Sequence, residues 1–437
     1  MRKNMETSFN KFLRKTIEYL TYLFVFILPW QIKFIIRPGE TNYSEISLYL
    51  SHGLLLVVLS LFLYLRFKEK NYEDECRPLI YSLAALGFFI FVSIFFAPDN
   101  LLAFYRYFIF LAGLSLFFMI RLGTTSQNYK DSWFDKVGLI YSFFGSILLQ
   151  ASLGIYQFLT QNSFAYKYLG LAVHNPAILG TSVIETEGGR WLRAYGGLDH
   201  PNILGGVLAL SIILAAYLLA KQKMLNTSKQ VWSSIFLFVF YFISLYALFF
   251  TFSRSAWLAL VLGFIVLLII FIVNKDKWIL SRFIALVFFS AILIGIAALP
   301  YKELVSVRLD GQTRLEQKSI TERQFYNNQA KNLLQTNFLT GVGVGNYSMV
   351  AGLVDDNKEP AWTYQPVHNV FLLIGVESGI FSLLSFLIFL FFLIKSGRRA
   401  PFAWAILIPI IVLMFFDHWL VSLPFGIMVL FLFLALI

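Results

Sequence analysis

A few stretches, far apart in the chain, carry side chains that handle anionic or hydroxylic substrates. They are Arg193 with Asp199-His200-Pro201-Asn202, Ser253-Arg254-Ser255, Arg323, His368-Asn369, and Glu377. Arginine presents a planar fork of donors that stays charged at physiological pH and matches phosphate oxygens bidentately. Histidine can take a proton near neutrality. Arginines that converge with one histidine would therefore bind a phosphorylated group and activate a hydroxyl.

Each of these residues has a plainer reading beside the chemical one. Arg254 lies in Phe249-Phe250-Thr251-Phe252-Ser253-Arg254-Ser255-Ala256-Trp257, a turn of almost no length between two apolar runs. It is an anion clamp or an interfacial cation that snorkels. Ser319-Ile320-Thr321-Glu322 reads as a capping box, so Arg323 falls in the first turn of a helix, where a cation opposes the macrodipole. It is a second phosphate contact or an exposed charge beside Glu322. Arg193, near Trp191 and Tyr195, lines the same pocket or orders its loop. His368 precedes Asn369, a good N-cap, and the helix dipole there disfavours an imidazolium. That suits a general base, with a structural histidine as the alternative. Glu377 lies about 12 Å further along the same span at 1.5 Å per residue; it is a functional acid or an inter-helix hydrogen bond. His200 and Asn202 serve chemistry or capping, His52 is packed, His174 is in a loop, and Asp417-His418 reaches the site or anchors a helix. No pair has a spacing such as His-x-x-x-His, Cys76 is the single cysteine, and the glycine patterns of nucleotide sites are absent. A site with no metal and no cofactor is expected.

The elements that must position these residues are membrane helices. Of the 437 residues 58% are hydrophobic and 14% charged, and the mean hydropathy is +0.72. An ordinary soluble globule is excluded. Apolar runs of spanning length predict about twelve spans, near 16–36, 46–65, 79–97, 101–120, 137–158, 203–220, 231–252, 256–273, 279–299, 369–394, 401–419 and 424–437. An all-α integral membrane protein follows, because lipid offers the backbone no partners and the runs do not alternate as barrel strands do. The net charge of +11 points to no nucleic acid, since in such a chain the position of the charges matters more than their sum.

Alternate connections carry most of the basic residues, among them Arg14, Lys15, Lys68, Lys70, Arg77, Lys130, Lys223, Lys275, Arg282, Arg398 and Arg399. That side is cytoplasmic by the positive-inside rule, and both termini lie on it. The amino terminus is basic but polar for too long to be a cleaved signal. The chain reads as one polytopic domain over 1–437, with two long loops, 159–200 and 300–368, on the opposite face. Long loops are uncommon unless functional. In the second, Phe325, Tyr326, Gln329, Ala330, Leu333 and Leu334 predict an amphipathic helix over the membrane mouth. No internal repeat is evident, so the main pointer to a secondary transporter is missing.

Taken in order, Arg193-Ala194-Tyr195-Gly196-Gly197-Leu198-Asp199-His200-Pro201-Asn202, Ser253-Arg254-Ser255-Ala256, Glu322-Arg323, Gly341-Val342-Gly343-Val344-Gly345-Asn346-Tyr347, and His368-Asn369 with Glu377-Ser378-Gly379 resemble the O-antigen ligase and polymerase superfamily. The resemblance runs from about 190 to 380. It implies a GT-C-like membrane glycosyltransferase of the bacterial inner membrane, multi-pass, with its active site on the periplasmic face under the 300–368 loop. The implied reaction moves a glycan from undecaprenyl diphosphate to a lipid A-core acceptor, without metal or nucleotide and with inversion. In the polymerases the acceptor is another lipid-linked repeat unit. Arg254 and Arg323 would hold the diphosphate, His368 would deprotonate or orient the acceptor hydroxyl, and Arg193, His200, Asn202, Asn369 and Glu377 would contact substrate. Membrane lipids are the only other partners expected. From a different class, a flippase or exporter of a lipid-linked saccharide would need charges along a path through the membrane. The intramembrane ionisable residues are few, mainly Arg106, Arg282 and Glu377.

Overall fold

The computed structural model describes residues 2–41, 43–69, 77–124, 133–222, 227–355, 360, 363–397 and 402–437. Cys76 and the orientation residues Lys70, Lys130, Lys223, Arg398 and Arg399 lie outside them. The described chain is mostly helical. Its helices are α1 (Arg2–Ile27), α2 (Leu50–Glu69), α3 (Arg77–Ser93), α4 (Asn100–Thr124), α5 (Lys136–Thr160), α6 (Pro201–Lys221), α7 (Ser228–Thr251), α8 (Arg254–Val273), α9 (Lys277–Ala298), α10 (Lys302–Asp310), α11 (Arg314–Thr336), α12 (Tyr347–Leu353), α13 (Val370–Gly397), α14 (Phe402–Phe416), α15 (Trp419–Ser422) and α16 (Pro424–Leu436). Two antiparallel hairpins complete it, β1 (Lys33–Arg37) with β2 (Ile46–Tyr49), and β3 (Val183–Thr186) with β4 (Gly189–Leu192).

Among the described residues nine helices are long and apolar enough to cross a membrane, with α14 and α16 as shorter apolar helices. The expected spans differ at three places. The run 16–36 is a helix only to Ile27: Pro29 cannot donate to a continuing helix, and β-branched Ile35 and Ile36 enter β1. The run 46–65 begins as β2 and turns helical at Leu50. The run 401–419 stops at Phe416, and Asp417 and His418 occupy the break before α15.

Helix α6 is the axis. Its sequence is apolar around the full circumference, so it can only be stable if surrounded, and most of its residues are buried among α5, α7, α8, α9 and α14. Phe144 stacks on Phe240 and Phe158 on Phe250 at 4.1 Å, locking α5 to α7. One end of the bundle gathers the β1–β2 hairpin, the 161–200 connection and α10 to α12; the site lies at this loop-rich end.

Helix α11 corrects a second expectation. It starts at Arg314 after Thr313, whose side chain makes no capping bond, so Ser319-Ile320-Thr321-Glu322 lies inside the helix and not at its start. Arg323 is therefore in the third turn, with the dipole no longer opposing it. The amphipathic face is as expected for Tyr326, Ala330 and Leu333, which are buried against Tyr347 and Leu373, whereas Phe325 is exposed.

Candidate active site

The site begins where α7 turns into α8. Phe252 caps α7 at φ 47°, a left-handed conformation that bulky residues avoid. Its buried ring packs on Phe158, Phe249 and Trp257, and its carbonyl accepts from Arg308 Nε at 2.8 Å. These contacts offset a strain of about 1–3 kcal/mol. The reversal puts Arg254 in the first position of α8, where the dipole repels a cation. Glu316 compensates: its Oε2 lies 3.0 Å from Arg254, and its Oε1 pairs with Arg308. Arg254 also donates to the Arg308 carbonyl at 3.4 Å and remains half-buried. Arg323, seven residues after Glu316 and so on the same face of α11, feels Asp417 on one side and Arg254 and Glu316 on the other.

On the other side stands His368. Its half-buried ring lies 5.0 Å from the His418 ring and 6.3 Å from Tyr326. Nδ1 is 3.8 Å from Asp417 Oδ1, an ion-pair distance beyond hydrogen-bond reach. Asp417 is buried and fixed from two sides, its Oδ1 accepting the His418 amide at 2.8 Å and its Oδ2 accepting Asn202 Nδ2 at 3.1 Å. Asn369 caps α13 as expected, accepting from Leu372 N at 3.0 Å.

Arg193 is buried and donates in three directions: Nε to the Thr251 carbonyl at 2.7 Å, one terminal nitrogen to Ser182 Oγ at 2.7 Å, the other to Asn202 Oδ1 at 2.8 Å. It ties the 182–202 connection, the α7 end and the α6 start together. Through Asn202 it also supports Asp417, so its place is behind the site. His200 caps α6, Nδ1 accepting the Asn202 amide at 3.1 Å. Burial holds its imidazole near pKa 3, so it is neutral at physiological pH and can act as that acceptor.

Glu377 belongs to a socket. Its carboxyl lies near the amides of Gly345 and Tyr347, and the carbonyls of Val376 and Glu377 accept Val342 and Gly343 at 2.9 Å. The three glycines of 341–345 have positive φ and lie against Glu377, Ala97 and Arg106, where a Cβ would collide. Gly379 (φ 80°, ψ 171°) breaks α13 next to Leu339 and frees these carbonyls. The socket fixes the segment that carries His368 and Asn369.

The structure thus brings Arg254, Arg323 and His368 to one end of the bundle, and sets Arg193, His200, Asn202, Asn369 and Glu377 in supporting positions. It adds Arg308 and Glu316, an ion pair between α10 and α11, and brings Asp417 and His418, read from the sequence as reaching the site or anchoring a helix, beside His368. The donor atoms of His368, Asp417 and His418 lie within 4.8 Å of one another, a group able to hold a metal ion. Spacing along the chain gave no sign of it, because the three come from two distant segments.

A helical bundle of membrane-spanning length, with Arg254, Arg308 and Arg323 gathered near His368 and Asp417 at one end, defines a polytopic membrane protein. Residues 239–387 match the family model described as O-Antigen ligase, so over this stretch the chain is similar to the O-antigen ligase and polymerase superfamily. These are glycosyltransferase-like enzymes with lipid-linked glycan substrates in a membrane. The matched stretch runs from α7 into α13 and contains Arg254, Arg308, Glu316, Arg323, His368 and Glu377, whereas Arg193, Asn202 and Asp417 fall outside it. No curated protein matches the chain.

Proposed function

We propose that the protein transfers a glycan from undecaprenyl diphosphate to a hydroxyl of lipid A-core, on the periplasmic face of the bacterial inner membrane. The observation that carries this reading is the position of Arg323, within electrostatic reach of Arg254 on one side and of Asp417, the partner of His368, on the other. Arg254 and Arg323, with Arg308 behind, bind the diphosphate and offset the charge that develops as it leaves; such electrostatic stabilisation is strongest where water is excluded. His368 takes the proton of the acceptor hydroxyl, whose oxygen bonds to the anomeric carbon while the bond to the diphosphate oxygen breaks. A single displacement inverts the anomeric centre. Asp417, 3.8 Å from Nδ1, sets a carboxylate beside the ring that takes this proton. The arginines supply the positive charge a metal would otherwise bring, so the reaction proceeds without one. The loop-rich end is the periplasmic one because the basic connections favour the opposite side.

The test is purified protein in detergent with an undecaprenyl-diphosphate glycan, with and without lipid A-core, in EDTA. Glycan on lipid A-core with release of the carrier diphosphate, lost in His368→Ala and Arg254→Ala, is the expected result. Chain growth with donor alone would make the protein a repeat-unit polymerase. Activity that EDTA abolishes and a divalent ion restores would assign His368, Asp417 and His418 to a metal instead. An intact diphosphate linkage, with reconstituted vesicles moving the donor between leaflets, would replace the enzyme by a flippase.

A further inference from the structure

The group formed by His368, Asp417 and His418 has a capacity that proton transfer does not use. Its donor atoms lie within 4.8 Å of one another, and among the described residues the group has these three members. His368 Nδ1 is buried without a hydrogen-bond partner among the described residues, 3.8 Å from Asp417 Oδ1. That separation is too long for a hydrogen bond. It suits two ligands of one ion, since nitrogen and oxygen donors held at about 2.0–2.2 Å from a tetrahedral metal lie roughly 3–4 Å apart.

The donors are oriented from behind. Asp417 Oδ1 accepts the His418 amide at 2.8 Å and Oδ2 accepts Asn202 Nδ2 at 3.1 Å, so the carboxylate cannot swing away. Asn202 is itself held by Arg193 at 2.8 Å. His418 is buried; its Nδ1 bonds Ser422 Oγ at 2.7 Å and its ring packs on Tyr43 at 5.4 Å, which leaves Nε2 for a ligand. Histidines that ligate metals have this arrangement, because the bond to the second nitrogen fixes both ring and tautomer.

Two imidazole nitrogens and one carboxylate oxygen also select the ion. Mg²⁺ and Ca²⁺ take oxygen ligands, whereas this mixture suits Zn²⁺ and its neighbours, with the fourth tetrahedral position left to water. Arg323, within electrostatic reach of Asp417 and His418, opposes a cation, so the ion is held less tightly than in a structural zinc site.

Ion and substrate proton compete for one ring. A neutral imidazole carries one proton and one lone pair. With Nδ1 on an ion the proton stays on Nε2, and neither nitrogen can accept from the acceptor hydroxyl. We propose that His368, Asp417 and His418 form a regulatory transition-metal site of the Zn²⁺ class, and that the bound ion switches transfer off by occupying the base. The switch rests on the transferase reading above; the ion site does not.

The test uses tag-free protein in detergent, with Zn²⁺ alone followed by calorimetry and Co²⁺ alone by its visible absorption. One ion binds per chain. Ser422→Ala, which removes only the hydroxyl behind His418, weakens binding roughly 10–100-fold, and His418→Gln weakens it further. In the transfer assay micromolar Zn²⁺ stops the wild type, EDTA restores the rate, and the activity that remains in either variant resists the same Zn²⁺. No binding, or binding that neither variant alters, overturns the site. Zn²⁺ that binds there and leaves the rate unchanged or raises it overturns the switch. Zn²⁺ binding of the expected kind in a protein that transfers no glycan even in EDTA refutes the transferase reading and leaves the ion site standing.

Discussion

Arg193 and Arg254 look alike in sequence, each an arginine beside small polar residues at the end of an apolar span, yet their surroundings assign them opposite work. Arg193 is buried, and every direction of its guanidinium is used within the protein, on Thr251, Ser182 and Asn202. Arg254 is half-buried and, among the described residues, answers to Glu316 and one long bond to the Arg308 carbonyl. A fully committed fork positions other groups; a partly committed one can exchange its carboxylate for a phosphate. The difference is invisible in residue type and lies wholly in where the hydrogen bonds go.

That contrast can be broken most directly at Arg254. Arg254→Ala should lower the transfer rate about 10²–10³-fold, the usual loss on removing one donor from a developing charge, with the thermal midpoint in detergent near wild type. A midpoint that collapses would make Arg254 structural like Arg193. Arg193→Ala should do the reverse and destabilise the fold by about 3 kcal/mol, because Asn202 and the Thr251 carbonyl lose a charged donor in a buried place. Arg193→Lys should not restore it, since an ammonium cannot reach three separate acceptors in one plane. Equal stability of wild type and Arg193→Ala would remove the distinction.

Glu316→Gln sharpens the comparison at smaller scale. It removes the negative charge that occupies Arg254 and Arg308, so KM for the diphosphate donor should fall several-fold while stability drops by about 1 kcal/mol. An unchanged donor KM would mean that Glu316 does not compete with the donor. The last test, a change of slope with pH and not of rate, belongs to His200. Its folded pKa near 3 lies below the ordinary 6.5, so the folded state binds fewer protons than the unfolded one between those values. The resulting stability is complete above pH 6.5 and declines as pH falls through the window. His200→Asn keeps a capping acceptor and removes the titration, so the thermal midpoint of the variant should fall less steeply between pH 6.5 and 4.

The legible part of this molecule was what local chemistry dictates. Apolar length marked the spans, Pro201 and Asn369 marked helix starts, and the arginine in a turn too short to need one marked Arg254. Boundaries failed where a competing rule acted, as at Pro29 and at the Ile35-Ile36 strand, or where a good capping pattern lay inside a helix, as at Ser319-Ile320-Thr321-Glu322. Arg308 and Glu316 could not be read, because their meaning is a partner supplied by another segment, and Asp417 was legible only as a group that reaches the site or anchors a helix. Glu377 was legible as important but not as a socket, since its partners are main-chain amides that every sequence possesses.

That socket constrains how the chain can vary over generations. The mount of His368 is gripped through backbone groups at 342–347, and substitution of Val342 or Val344 leaves those bonds in place. Gly341, Gly343 and Gly345 have no such liberty, for each sits at positive φ against a neighbour. A lineage can therefore drift widely across this loop and keep its chemistry, so long as it never spends one of three residues that themselves touch no substrate.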